Sequence, residues 1–572
     1  MIPHAKSLQI SRFLLTLVAM NFQSLFRKKS VAATHHSGDA DSPQLVRNLS
    51  LRDLTFMGIA AIIGAGSFSS LGQACFSGGP GVVILFIICA IACGFTAMCY
   101  AEFASRVPAS GSAYTYAYVS FGELFAWVIG WALLMEYSIG NIYVAFSWSG
   151  YFTNLLDGVG VHLPEWLTIN YRSASAAFRD NIQGEGYQAW TNAPQLGSLR
   201  IIFDLPAFMI NVLVTWLVYV GVNESRKVSN FMVLLKLFII VVVIVTGAFF
   251  IDIDNWTPFM PNGFGGVMGG AAAVFFAYIG FDAVSTLAEE AKDPKRDLPK
   301  GMMYSLIICT VVYVLLALVL TGMVSFNQLG VSDPLAEVFQ LKGVKWMQYF
   351  VSIAAVVAMT SVILVFQLGQ PRIWMSMARD GLLPKRFAKI HPKYKTPGFS
   401  TIMTGAVVGI PIFFTDETFV LDFTSIGTLF AFVLVCGGVL MLPKAEKTDG
   451  PKQRFRLPFI DGKWIVPALV IGAFAGLILD DSNYTSDLFN FNTTNLSAKL
   501  PMWIFLTLCV LMAVMSFLRN LSLIPVLGVL SCCYLLTGMA PSNWLWFAVW
   551  LGIGLVVYLL YGFRKSKLAQ QG

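Results

Sequence analysis

Charge is scarce in this sequence: Asp, Glu, Lys and Arg make up 12% of it, against about a quarter in ordinary soluble chains. So little charge cannot cover the surface of a large soluble fold. Histidine is scarcer still. The five, His4, His35, His36, His162 and His391, all lie outside the long apolar runs, which excludes a histidine-based catalytic triad or a histidine proton relay within them. The nine cysteines sit in or at the edge of apolar runs without metal-ligand spacing, and read as small core residues. No GxxxxGK phosphate loop occurs, so a nucleotide-driven pump is excluded as well. Neither an enzyme nor any cofactor is expected.

Hydrophobic residues, by contrast, make up 56%. A helix needs roughly 20 apolar residues to cross about 30 Å of hydrocarbon, and the chain offers fourteen apolar runs: 54–76, 81–102, 121–155, 203–221, 228–250, 266–288, 302–324, 346–370, 399–415, 419–442, 464–479, 502–518, 521–538 and 543–562. With fourteen crossings both termini share one side of the membrane. Of the 38 Lys and Arg residues, 31 fall on that side, six on the other (Arg172, Arg179, Arg200, Lys342, Lys345 and Lys499), and one, Lys236, within a run. Positive charge marks the cytoplasmic side, so both termini are expected there, in the plasma (inner) membrane. This placement accounts for the net charge of +7 without nucleic acid. The basic stretch 385–395, KRFAKIHPKYK, becomes a cytoplasmic loop beside anionic lipid. Residues 13–20, FLLTLVAM, have no cleavage site after them and suit an amphipathic surface helix, with translation starting at Met1 or Met20.

Two runs are broken by small residues: the first, GIAAIIGAGSF (58–68), and the sixth, GGVMGGAAAVFFAYIGFD (265–282). They lie five spans apart, and an odd number of spans per repeat inverts the second copy. Paired breaks of this kind point to the binding site of a secondary transporter. A broken helix leaves amides and carbonyls unpaired, tolerable in a membrane only beside a cavity or ligand. Free amides attract a carboxylate and free carbonyls an ammonium, the two groups an amino acid carries one carbon apart. The alternative is that Gly64 and Gly66 only let helices pack closely.

These stretches, together with GWALLMEY (130–137), WSGYF (148–152), FFAYIGFDAVSTLAEEAKDPKRDLPKG (275–301) and PRIWMSMARDGLLP (371–384), resemble the amino acid, polyamine and organocation permeases, and within them the cationic amino acid transporter family with its fourteen spans. The resemblance covers residues 50–442 closely and the last four spans by number and hydropathy. It implies an all-α integral membrane protein of about 14 transmembrane helices: a five-plus-five inverted-repeat, leucine-transporter-like core at 51–442 and four further helices at 464–563. A tail at 1–50, a loop at 443–463 and a tail at 564–572 would be cytoplasmic. Substrate would bind across Ile62, Ile63, Gly64, Ala65 and Gly66 of the first break. The amides of Gly64, Ala65 and Gly66 would take the carboxylate, and the carbonyls of Ile62, Phe276, Ala277 and Ile279 the amino group, with Phe276 closing over the pocket. The chain departs from related bacterial permeases at Ala65, where Thr or Ser is usual, and at Ser67, where an aliphatic residue is usual.

Ionisable residues at membrane depth are functional candidates. Glu136 lies halfway through the third span, and in the cationic transporter family a Glu here is associated with the substrate side chain; the alternative is a structural hydrogen bond between helices. Asp282 closes the sixth break, either for coupling or to cap exposed backbone. Glu102, Glu289 and Glu290 sit near cytoplasmic span ends as gate or interface charges. Lys236 lies about 14 Å along its helix from Arg226 and Lys227, too deep for easy snorkelling. In the resembling proton-coupled permeases a fifth-span lysine stands where sodium-coupled relatives hold sodium, and Thr360 and Ser361 match the hydroxyl pair that would otherwise serve that ion; a fixed charge paired with Asp282 or Glu136 is the alternative. The expected function is therefore secondary active transport of cationic or small neutral amino acids with a proton. Exchange of amino acids or polyamines without proton coupling is the rival reading. A transporter-like nutrient sensor is another, although one would normally carry a larger extension than tails of about 50 and 10 residues. The expected partners are the amino acid, the proton and the lipid bilayer, with the oligomeric state left open. The outer segment 156–202 is too long for a simple turn and is expected to cover the entrance.

Overall fold

Hydrocarbon offers the backbone no water to bond, so a chain this apolar must satisfy its amides and carbonyls within each segment, as helices do. The computed structural model describes residues 25–29, 45–64, 66–197, 199–330, 334–442, 455–479, 496–539 and 541–571. Within them the regular elements are helices, apart from one two-residue hairpin, Gln195–Leu196 paired antiparallel with Leu199–Arg200, and two isolated bridges, Leu49 with Ala291 and Asp461 with Ser522. The surface helix expected over 13–20 and residue Ala65 lie outside the described residues.

The first run is α1 (Leu51–Ile62) followed, after a gap, by a π turn (Gly66–Ser70) and α2 (Leu71–Gly78). Ser50 and Asp53 cap α1 reciprocally: the Asp53 amide donates to the Ser50 hydroxyl, and the Ser50 amide donates to the Asp53 carboxylate at 2.9 Å. Then come α3 (Val82–Arg106), the short α4 (Ala113–Ser120) and the long α5 (Glu123–Gly158). The outer segment is not a loose loop. It folds into α6 (Tyr171–Arg179), α7 (Glu185–Asn192) and the hairpin around a small core of Ala174, Ala189, Ala193 and Ile202. α8 (Leu205–Val220) and α9 (Val222–Ala248) follow. The sixth run comes in three pieces: α10 (Gly263–Gly269), α11 (Ala271–Tyr278) and a ten-residue 3-10 helix, Phe281–Glu290. That is a long run for a 3-10 helix, which is usually confined to a single turn.

The remaining longer helices are α12 (Pro294–Met323), α13 (Pro334–Leu341), α14 (Lys345–Arg379), α15 (Gly398–Ile412), α16 (Glu417–Met441), α17 (Ile465–Leu479), α18 (Leu496–Arg519), α19 (Leu523–Thr537) and α20 (Pro541–Val557), after which come a π turn (Tyr558–Gly562) and two short helices, Phe563–Lys565 and Lys567–Gln571. Among the described residues eight helical stretches are long and apolar enough to cross a membrane by length and composition, and four shorter apolar helices accompany them. The core runs along α5, which packs on α14 and α16; α12 packs on α1 and α3, and α9 on α1 and α14. In its most apolar stretch α5 is 83% buried, whereas that of α18 is 17% buried. The main core is thus formed mostly by helices before residue 442, joined by Val529, Cys532 and Leu536 of α19 and Phe547 of α20, while α18 lies at its outside.

One ion pair ties this interior together. Arg372 of α14 and Glu290, at the end of the 3-10 helix, are 1% and 0% exposed and paired, and Arg372 also donates to the Leu368 carbonyl. Removing one member of a buried pair strands the other charge, at about 3–5 kcal/mol. Arg372→Leu should therefore lower the melting temperature of the detergent-purified protein by several degrees, and the double variant Arg372→Leu/Glu290→Leu should recover most of the loss. A melting curve unchanged by the single variant would remove the pair from the structural account.

Candidate functional site

α1 ends because Ile63 leaves the helical region for an extended conformation (φ −80°, ψ 100°). The Gly64 carbonyl is then taken up locally, by the Ser67 amide (3.0 Å), the Phe68 amide (3.2 Å) and the Ser67 hydroxyl (2.8 Å). Ser67, the residue that departs from the permease pattern, thus closes the break rather than lining a pocket. Gly66 opens the π turn, so its amide is one of those a helix start leaves unpaired. α11 ends in the same manner: Ile279 is extended (φ −61°, ψ 140°) and Gly280 takes φ +113°, a conformation that favours glycine. The Ser70 hydroxyl donates to the Gly66 carbonyl (2.7 Å) and reaches the Ala273 carbonyl (3.1 Å), joining the two broken segments.

Between the breaks lies a small cavity lined by Ile62, Gly64, Gly66, Phe276 and Ile279 from the broken segments, Gly140 and Val144 from α5, Val362 and Phe366 from α14 and Thr424 from α16. Its volume is about 20 Å³, room for about one water molecule. Admitting an amino acid therefore requires these walls to move. Phe276, 9% exposed, stands edge-on to Tyr143 with ring centroids 5.0 Å apart.

Carbonyls at the ends of the broken segments find side-chain partners in two places. The fully buried Lys236 ammonium, from α9, donates to the carbonyls of Ile59 (3.1 Å), Ala60 (3.2 Å) and Ile63 (2.7 Å) and to the Ser361 hydroxyl of α14 (2.9 Å). A cation at the carbonyl end of α1 complements the negative end of its dipole. Lys236 makes no ion pair among the described residues, so the pairing with Glu136 or Asp282 weighed from the sequence is not the arrangement seen. Thr360 is not part of this group: its hydroxyl donates to the Val356 carbonyl (2.7 Å) and accepts from the Trp148 indole (2.8 Å).

The second partner is Tyr313 of α12. Its hydroxyl lies 2.9 Å from both the Ile62 and the Ala277 carbonyls, one from each break. Sequence reasoning assigned these carbonyls to the substrate and passed over Tyr313. Its only signal was a polar tip inside an otherwise apolar run.

One turn of α5 from the cavity lies a buried polar layer. Glu136 is four residues before Gly140 and fully buried, and among the described residues neither carboxylate oxygen meets a donor in hydrogen-bond geometry. The Thr428 hydroxyl reaches toward it but donates to the Thr424 carbonyl (3.3 Å). Asp282 is close enough for the two charges to interact; its Oδ2 accepts from the Tyr137 hydroxyl (3.2 Å) and its Oδ1 has no partner. Tyr100 and Tyr116 place two more hydroxyls in the layer, that of Tyr116 beside Ser285 and that of Tyr100 without a partner among the described residues. Two carboxylates with spare oxygens and no cation beside them, among the described residues, are chemically suited to take up a proton or a positive group. The remaining acids are already engaged: Glu102 with Arg106 and the Leu457 amide, Glu289 with Arg379 (2.7 Å), and Glu290 with Arg372.

The chain matches the family model described as "Amino acid permease" over residues 49–515, and that described as "C-terminus of AA_permease" over residues 521–566. It is 38% identical to a branched-chain amino acid permease of Bacillus subtilis, across 96% of this chain and 99% of that one. To a methylthioribose transporter of the same bacterium it is 36% identical, across 95% and 99%. To the mitochondrial cationic amino acid transporter 3 of Arabidopsis thaliana it is 31% identical, across 96% of each.

Proposed function

Because the chain belongs to the amino acid permease family, transporters rather than enzymes, we propose that it is a secondary transporter carrying a cationic or small neutral amino acid together with a proton across the plasma (inner) membrane. The reading takes the chain to cross that membrane fourteen times, with both termini cytoplasmic, which the division of 31 against six basic residues supports. It also takes the helices up to 442 as two inverted sets of five, the broken α1–α2 and α10–α11 segments standing at matching places.

The observation that carries the proposal is the Lys236 ammonium, bound by the three carbonyls of Ile59, Ala60 and Ile63 and by Ser361. Those oxygens are the hard ligands a sodium ion would need. A fixed cation among them repels sodium, and an amine can release and regain a proton. The substrate carboxylate would lie on the amides of Gly64, Ala65 and Gly66, its amino group on the carbonyls of Phe276 and Ile279. Reaching the Ile62 and Ala277 carbonyls would require displacing Tyr313. The decisive experiment is uptake by purified protein in liposomes of labelled cationic, small neutral and polyamine substrates, with and without an inward proton gradient. Amino acid uptake that the gradient drives supports the reading; polyamine uptake alone, or uptake indifferent to the gradient, overturns it.

Selectivity tests the polar layer. A cationic side chain extending one turn beyond the cavity would meet Glu136 and Asp282, whose spare oxygens would then be filled. Glu136→Gln should raise the KM for lysine or arginine by about tenfold or more, since a charge-assisted contact becomes a neutral one, and change alanine uptake much less. Competition assays across the panel measure this, and an equal loss for both substrates would assign Glu136 to holding helices together.

A further inference from the structure

Where the end of α14, the segment after it, the start of α15 and the C-terminal tail meet, a basin of about 1120 Å³ opens. Arg379, Lys385, Arg386, Lys389, Lys565 and Lys567 line it, and among the described residues no Asp or Glu does. Arg379 is engaged by Glu289. The other five form no ion pair among the described residues, although like charges held this close repel one another.

The fold holds them there. The Lys567 amide donates to the Asp380 carbonyl (3.0 Å), and the buried Ser566 hydroxyl donates to Glu123 (2.5 Å). Gly381, at φ +85°, lies so close that a Cβ there would strike the Lys565 carbonyl. The tail lysines are thereby brought beside Lys385 and Arg386 by contacts outside the charge cluster. One wall of the basin is apolar: Tyr219 of α8 with Phe399 and Ile402 of α15, the last two 39% and 55% exposed.

A cup of uncompensated cations with an apolar lip matches a molecule with phosphates at one end and hydrocarbon at the other. We propose that this basin is a binding site for the headgroup of an anionic phospholipid, and that five free charges select a headgroup carrying two phosphates, with acyl chains lying along Phe399 and Ile402. The site rests on the orientation proposed above only for which leaflet supplies the lipid; binding itself does not depend on transport. It differs from a diffuse attraction of basic loops to the membrane, to which each Lys or Arg near the surface contributes about a fivefold gain, because it requires these residues and not merely their number.

The test is lipid titration of the full-length protein in detergent, followed by native mass spectrometry, with cardiolipin, phosphatidylglycerol, phosphatidylethanolamine and inorganic pyrophosphate as separate probes. Cardiolipin should bind most tightly and phosphatidylethanolamine least. Lys385→Gln/Arg386→Gln/Lys389→Gln should weaken cardiolipin on the order of a hundredfold. The matched variant Lys292→Gln/Arg296→Gln/Lys300→Gln, which removes as much charge from another basic segment on the same proposed side, should leave that affinity unchanged. Equal losses in the two triple variants would overturn the site in favour of diffuse attraction. Pyrophosphate binding as tight as cardiolipin would overturn the lipid as occupant. Loss of amino acid uptake in liposomes, with lipid binding intact, would count against the proposed function and not against this site.

Discussion

Lys236→Ala is expected to abolish proton-driven accumulation while leaving exchange of substrate across the membrane. If one proton moves with each substrate, one pH unit supports about a tenfold concentration ratio; in the variant the ratio should fall to about one and stop responding to the gradient. Counterflow of labelled against unlabelled substrate serves as the control for a folded, substrate-binding protein. The physical reason is the position of the ammonium. Its bonds to the carbonyls of Ile59, Ala60 and Ile63 join α9 to the end of α1 directly beside the Gly64 break, and Ser361 extends the contact to α14. A proton leaving this amine removes the charge that the end of α1 stabilises and weakens all four contacts together. Gain or loss of one proton can thus bias how α1 sits against α9 and α14, which is the differential interaction a driving ion must have with two conformations. A sodium requirement in the wild type, or an undiminished proton response in the variant, would remove Lys236 from the coupling.

How far the site could be read from sequence differs residue by residue. The two breaks were legible because glycine clusters inside apolar runs have few other reasons to exist, and Lys236 because it is the one cation within a run. Its ligands were only half legible. Thr360 and Ser361 are adjacent, and neighbours on a helix point about 100° apart, so only Ser361 faces Lys236 while Thr360 turns to Trp148. Tyr313 escaped notice because its contacts with Ile62 and Ala277 join segments far apart in sequence, which no local spacing encodes. The outer segment resisted for another reason: α6 and α7 are only nine and eight residues long, and their core is mostly alanine, a weak periodic signal. Glu136 stood out by its charge, yet its lack of a partner emerges only once the neighbouring α16 and 3-10 helix are in place.

Gly66→Ala should reduce uptake at least about tenfold at unchanged membrane abundance, and no neighbouring side-chain change should restore it. A Cβ on Gly66 would lie 2.5 Å from the Ala277 Cα and 3.2 Å from its amide nitrogen. The obstacle is backbone of the opposite broken segment, so no rotamer change relieves it. Ala277→Gly, which removes only the Cβ at 3.0 Å, should therefore fail as a rescue. Gly64 provides the contrast. A Cβ there would strike the side chain of Val362, with Cγ2 at 2.2 Å and the other Val362 atoms at 3.4 Å or beyond, so Gly64→Ala should be impaired alone and largely restored by Val362→Ala, with Val362→Ala by itself as the reference. Overpacking of this kind costs about 1–3 kcal/mol, enough to shift the approach of the two broken segments without unfolding the protein. Their approach is what would bring the amides of the first break and the carbonyls of the second within reach of one amino acid. Normal uptake by Gly66→Ala would place the substrate elsewhere, whereas rescue of Gly64→Ala with persistent failure of Gly66→Ala would locate it between Gly66 and Phe276.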